Sequence, residues 1–548
     1  MSDTVSVPSV AAVQALQARI DALDERVTAL EQSSELPPIE PPVSGNTTNF
    51  TRGIRGASGP SGWSSCTLGG GTQYFVSSSL GDDSWDGTAR THTGGSTGPK
   101  ATITAGLAAM ADNSEDQLLL RRGDTWNEDS IGIFKHGISA TQPLCIMADP
   151  GTSGARPIIQ GTASTSTQPN IFFSSRGSYP NGFDYIFMKG LHLYCPKRDP
   201  NNGAYTGTPF ASDAAIFVGL VFNWLFFEDM YVSYFGGAFV GGGDVTIGTA
   251  HLLTFRRCGF NQGYNPGTGT VGFSVGDIET ITFEECTINQ LGWHGDPATG
   301  DPDLGTVRTA NSHNVYGQDS NGKCYAYDCI STNASYKGLQ FRNGADIDNC
   351  YFQRNGQDIL LWQINSGFPY GMTTAPCFVT NCVHNFCGHS LPAGSGALGG
   401  VAYAEIPPNP ASVGGQVVAP TTISNCIVCN VDPVAGAAYG HAYDFDNAFR
   451  PTATGLLQNT IIYNWPSTIF DDSAGGWTFS NNHIELDNLN TAGYPNPHPT
   501  LGAYYFSIGG TNDDEAFILA AAINNEASWD VRLTAPAVNA YMRGKFGR

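Results

Sequence analysis

One pattern recurs through the middle of this chain and limits what it can fold into: apolar, any, apolar, two polar, Cys, any, apolar. Clear copies occupy residues 253–260, 281–288 and 345–352. Others centre on Val379/Cys382, Ile423/Cys426, Leu457/Thr460 and Phe479/Asn482, with a weaker one at Ala326/Cys329. The apolar anchors are Phe255, Phe283, Ala326, Ile347, Val379, Ile423, Leu457 and Phe479. Their shortest steps are about 21 to 22 residues, and the longer ones read as that unit plus an insertion. A unit this short cannot bury its own apolar face and must stack on its neighbours, which makes a solenoid.

Period-two alternation puts Leu253 with Phe255, and Ile281 with Phe283, on one face of a short strand. The step of three to Cys breaks the alternation, so the chain turns a corner there. Asn stands before Cys350, Cys382, Cys426 and Thr460, and Asn tolerates the left-handed backbone that a tight corner needs. Cys and the apolar residue two further on then point inward again. The expected fold is all-β, a right-handed parallel β-helix.

The 67 glycines fit many tight turns. A formal net charge of −22 argues against a nucleic-acid partner. No run of 18 apolar residues exists and Met1-Ser2-Asp3 does not open a signal peptide, so no membrane insertion is expected. Of the 13 cysteines, eight lie in or beside the repeats. Metal-ligand spacing is lacking, so they are expected to be reduced, buried fillers rather than a zinc site or a disulfide framework.

Four segments are expected in order. Residues 1–33 carry a heptad with Val13, Ile20 and Val27 at a and Leu16, Leu23 and Leu30 at d, an oligomerising coiled coil. Residues 34–72 are a Pro/Gly-rich linker whose glycines fall at every third place between Gly53 and Gly62. Residues 73–500 make the β-helix, with a short helix over 104–112 closing its first turn. Residues 501–548 are a small helical cap, including an acid-led helix from Asp513, expected to cover the open edge of the last rung.

The stretches Tyr74-Phe75-Val76-Ser77, Gly81-Asp82-Asp83-Ser84-Trp85-Asp86-Gly87-Thr88 and Gly98-Pro99-Lys100-Ala101-Thr102-Ile103 resemble the opening of pectate-lyase-like right-handed β-helix proteins. Stalk, trunk and cap together resemble bacteriophage tailspikes and tail fibres. That resemblance implies a homotrimer in the virion tail, its N-terminus bound to other tail proteins and its trunk facing a glycan on the host surface. The heptad itself, β-branched at a with Leu at d, favours two strands.

For chemistry, the second strand of each rung is aligned on Val315, Leu339, Leu360, Ala402, Tyr443 and Ile469 as inward anchors. Three residues on, Gln318, Arg342, Gln363, Glu405, Asp446 and Asp472 form an outward column, with Tyr316 and Gln340 beside it. Carboxylates stacked one or two rungs apart match glycosidase separations, so Glu405, Asp446 and Asp472, with Asp444 in reserve, read either as a hydrolytic set or as a solvated wall. His313, Lys337 and Asp358 open three successive copies of this strand. Lys337 with Arg342 offers the base and cation that a uronate lyase needs. Trp293, Tyr316 and Tyr403 have faces on which sugar rings stack. Asp296, Asp301 and Asp303 read as an acidic turn; no metal and no cofactor is expected, since no phosphate loop or dinucleotide fingerprint stands out. Three functions follow: a glycan binder, a glycan depolymerase acting as hydrolase or lyase, or a purely structural virion part.

Overall fold

The computed structural model describes residues 62–547 apart from 65, 67–68, 129, 162–170, 174–183, 206–213, 219–221, 243–249, 264–270, 292–312, 319, 335, 363–375, 388–400, 407–419, 432–441, 445–454, 466–469, 472–475 and 487–498. The heptad, Trp293, Gln363, Asp446, Asp472 and the acidic turn at 296–303 therefore lie outside the described residues, as do the side chains of Tyr403, Glu405 and Asp444.

Three parallel sheets of 13, 12 and 11 strands, here the first, third and second, run along one axis. Each turn of the chain visits them as first, third, second: Ile278–Glu284, Thr287–Leu291 and His313–Gly317 make one rung, and Cys324–Tyr327 starts the next. This is a parallel β-helix, in which the right-handed sense is that of nearly all parallel crossovers.

The eight anchors of the sequence motif form one unbroken column on the first sheet. Phe255 pairs with Phe283, then come Ala326, Ile347, Val379, Ile423, Leu457 and Phe479, each opposite the next. Upstream, Phe227 stacks on Phe255 at 5.0 Å and Phe255 on Phe283 at 5.4 Å. From Trp224–Glu228 onward the corner after each first-sheet strand has positive φ: Asp229, Arg257, Glu285, Asp328, Asn349, Asn381, Asn425, Asn459 and Asn481 all lie between 51° and 58°. At that corner the Cys thiol donates to the carbonyl two residues back, at 3.5 Å for Cys350 and 3.3 Å for Cys382. Thr460 donates in the same way at 3.1 Å. Bonding that needs only a small donor of this kind explains why Thr replaces Cys there.

Eleven of the cysteines are free and buried. Cys66 and Cys145 instead form a disulfide, which departs from the all-reduced expectation. The bond ties residues 62–66 to the outer face of the first sheet, where Phe75, Leu119, Phe187 and Phe226 form a second apolar layer.

The helix Ile103–Ala109, capped by Thr102, lies at the first turn as expected. Helices Leu501–Ser507, Asp514–Ile523 and Ala535–Lys545 do not close the last rung. They run back along the third sheet. Its outward residues Ile330, Tyr351, Val383, Ile427, Ile461 and Tyr463 share one buried cluster with Leu501, Phe517, Ile518, Val538 and Met542. Polar ties reach from Lys189, whose Nζ is 2.9 Å from Glu526, to Asn425, whose carbonyl accepts from Arg543 at 2.6 Å. Gly259 is required beneath them, because a Cβ there would fall 1.8 Å from the Ala522 carbonyl oxygen. Phe479 and Ile484, on the last rung, stay exposed. The physical reason is the apolar residue that follows the corner Cys or Thr from Cys329 to Thr460: it points outward and must be covered from the side.

Candidate functional site

On the second sheet the register corrects part of the alignment. Val315 does pair with Leu339, but Leu339 pairs with Ile359 rather than Leu360. Ile359 then pairs with Tyr403, Tyr403 with Tyr443, and Tyr443 with Phe470. Ala402 is therefore one residue out of register, and the partner of Tyr443 is Phe470. In strands a slip of one exchanges the two faces. Glu405 accordingly stands opposite Leu361, in the row of Gly317 and Phe341, where Leu361 and Phe341 are fully buried in the core. Tyr403 likewise falls in the inward row of Ile359 and Tyr443. Glu405 is therefore not in register with Gln318 and Arg342. Asp358 also shifts: Gln357, not Asp358, stands opposite Lys337. Asp358 is buried inside the coil, 3.0 Å from His384 Nδ1.

What the register does bring together lies on two neighbouring rungs, His313–Gly317 and Lys337–Phe341. His313 is opposite Lys337 and Tyr316 opposite Gln340. The imidazole of His313 stacks on Tyr316 at 5.5 Å and tilts on Tyr336 at 5.8 Å. Lys337 Nζ sits 3.9 Å from the Tyr336 ring centre, and the Arg342 guanidinium 4.9 Å from that of Tyr316. Tyr336 and Tyr316 thus form an aromatic floor beneath an amine and a guanidinium. Gln318, just past its strand, donates to Ser274 at 3.4 Å.

The electrostatics are unusual for a solvated wall. Lys337 is only 7 % exposed, and no carboxylate pairs with it among the described residues. Burial, then the nearby Arg342 charge, pushes its ammonium down to about 7. Burial and the same two cations hold His313 well below the ordinary imidazole value, so it is neutral. Gln340 is 1 % exposed, and neither atom of its amide meets a hydrogen-bond partner among the described residues. Leaving both unpaired costs on the order of a few kcal/mol. A neutral amine, a guanidinium and an unsatisfied amide over aromatic rings suit a ligand carrying a carboxylate and hydroxyls. Lys337, Arg342, Tyr316 and Gln340 were singled out by sequence. His313 was named there only as a strand opener, and Tyr336 was missed, although it directly precedes Lys337.

Neither a protein-family model nor a curated protein matches the chain. Among solved structures it is similar to a rhamnogalacturonan lyase, at 12% identity over 76% of this chain and 87% of that one, with a TM-score of 0.39. A pectate lyase matches at 11% identity over 76% and 80%, TM-score 0.34. A tailspike of Acinetobacter baumannii bacteriophage Fri1, a capsular polysaccharide depolymerase, matches at 13% identity over 68% and 57%, TM-score 0.32. At such identities no residue role passes from one chain to another.

Proposed function

We propose that this chain is a tailspike of a virion, a homotrimer through its N-terminal heptad, whose second-sheet cleft binds an acidic host-surface polysaccharide and cleaves it by β-elimination. The observation that carries the chemistry is Lys337, a buried amine pushed down to about 7 beside Arg342. In this reading Arg342 holds the uronate carboxylate, which acidifies the adjacent C5–H. Neutral Lys337 takes that proton. The C5 electron pair forms the C4=C5 double bond while the C4–O glycosidic bond breaks, and the leaving oxygen takes a proton from the Tyr316 phenol or from water. Gln340 fixes the ring through its hydroxyls. A base with a value near the working pH suits this step. A hydrolytic reading through Glu405, Asp446 and Asp472 lacks comparable support, because the register separates Glu405 from the outward column.

The binding half is tested with a uronate oligosaccharide and the full chain. Arg342→Ala is expected to weaken binding at least tenfold and to flatten its salt dependence, and Gln340→Leu to weaken it with the salt dependence kept. Unchanged affinity in both variants would overturn the site.

A further inference from the structure

The first sheet has an open stretch that the cleft does not use. Its outward residues run in two columns along the axis: Tyr325, Asp346 and Phe378, and beside them Tyr327, Asp348 and Thr380. All but Tyr325, which flanks it beside Tyr327, line a cavity of about 230 Å³. Phe378 is exposed, at 41%, while Tyr325 and Tyr327 are half-buried with ring centres 6.0 Å apart. Lys323 closes one side, 2.8 Å from Asp346 and 5.7 Å from the Phe378 ring centre. A second cavity of about 480 Å³ shares Asp348 and continues past the corner asparagines to Arg543.

The chemistry of this groove differs from that of the cleft. Lys323 and Asp346 neutralise each other, and Asp348 is held by the Thr380 hydroxyl and, at 2.8 Å, by Asn381. What remains offered to a ligand is carboxylate and carboxamide oxygen beside flat apolar faces. Anionic polymers are repelled by such a lining; neutral sugars donate hydroxyls to it and lay their C–H faces on the rings. Tyr325 and Phe378 are two rungs apart, roughly 10 Å along the axis, so one extended saccharide can reach both with rings that are not adjacent.

We infer that this groove is a second saccharide site, which takes a neutral stretch of glycan lying along the solenoid. It stands apart from the cleft and does not depend on cleavage there. The test presents the full chain with neutral hexasaccharides of gluco, manno and galacto configuration, read by saturation-transfer NMR and calorimetry. At least one is expected to bind, with a loss of fivefold or more in Phe378→Ala and again in Tyr325→Ala, and no change in Lys337→Ala. Phe378 is exposed, so its removal leaves the core intact. Binding by none of the set, or equal binding by both aromatic variants, overturns the inference; loss in Lys337→Ala instead would assign the sugar to the cleft and overturn it too.

Discussion

Replacing Lys337 with Ala is expected to lower kcat on a uronate polymer by about a thousandfold, the scale of a lost general base, while KM changes little. The reason is a division of labour within the cluster. Arg342 and Gln340 hold the substrate whether or not the amine is present, whereas the amine acts on the C5 proton only in the transition state. The sign of the pH dependence follows from the shift. The ordinary lysine value is 10.5, and burial pushes Lys337 down to about 7. Below that value the amine is protonated and cannot act as a base; above it the neutral form dominates. Wild-type kcat is therefore expected to rise with pH and to level off above about 7, and the residual rate of Lys337→Ala to lose that rising limb. The stability of the fold shifts in the same direction. Between about 7 and 10.5 the unfolded chain holds a proton that the folded chain has released, so folding gains as pH rises through that window. A variant with unchanged kcat, or one that keeps the rising limb, would remove Lys337 from the reaction.

Deleting the three C-terminal helices, residues 501–547, is expected to make the trunk insoluble. Ile330, Tyr351, Val383, Ile427, Ile461 and Tyr463 are each at most 1 % exposed and lie on the outward face of the third sheet. Uncovering six large side chains costs on the order of 10 kcal/mol at about 1.5 to 3 kcal/mol each. It also leaves one continuous apolar stripe, the kind of surface that drives association. A milder variant keeps this open to measurement: Phe517→Ala, within the same cluster, is expected to destabilise by about 3 to 5 kcal/mol, read by chemical denaturation. A soluble, monodisperse truncated trunk would show that the helices are ornaments. Had they closed the end of the solenoid, as first expected, their loss would expose only the last rung.

The sequence and the structure agree where three signals coincide on each rung. On the first sheet an inward apolar residue, a left-handed corner and a small donor (a thiol, the Thr460 hydroxyl or, last, the Asn482 carboxamide) recur together, so all eight anchors fall in register. On the second sheet the signal fails at Ile359-Leu360-Leu361, because Leu360 is 2 % exposed although it shares the outward row of Gln340. With apolar residues on both faces, nothing in the alternation distinguishes Ile359 from Leu360 as the anchor. A second slip, of opposite sign, at Ala402 moves Glu405 from the outer wall to an inward row. Lys337 and Arg342 escaped because they precede both slips. The lateral path of the C-terminal helices had a legible trace: from Cys329 to Thr460 the residue after the corner Cys or Thr is Ile330, Tyr351, Val383, Ile427 or Ile461, far too apolar for an exposed wall. The Cys66–Cys145 bond had none, since the two cysteines lie 79 residues apart and neither belongs to a repeat.

The central claim is tested most directly by the products of the full chain acting on a uronate-bearing surface polysaccharide. Elimination predicts unsaturated uronate absorbance rising in step with new reducing ends, both absent in Lys337→Ala. New reducing ends without that absorbance would mean hydrolysis, and a polymer that is bound yet stays long would mean a receptor-binding wall without chemistry; either result contradicts the account.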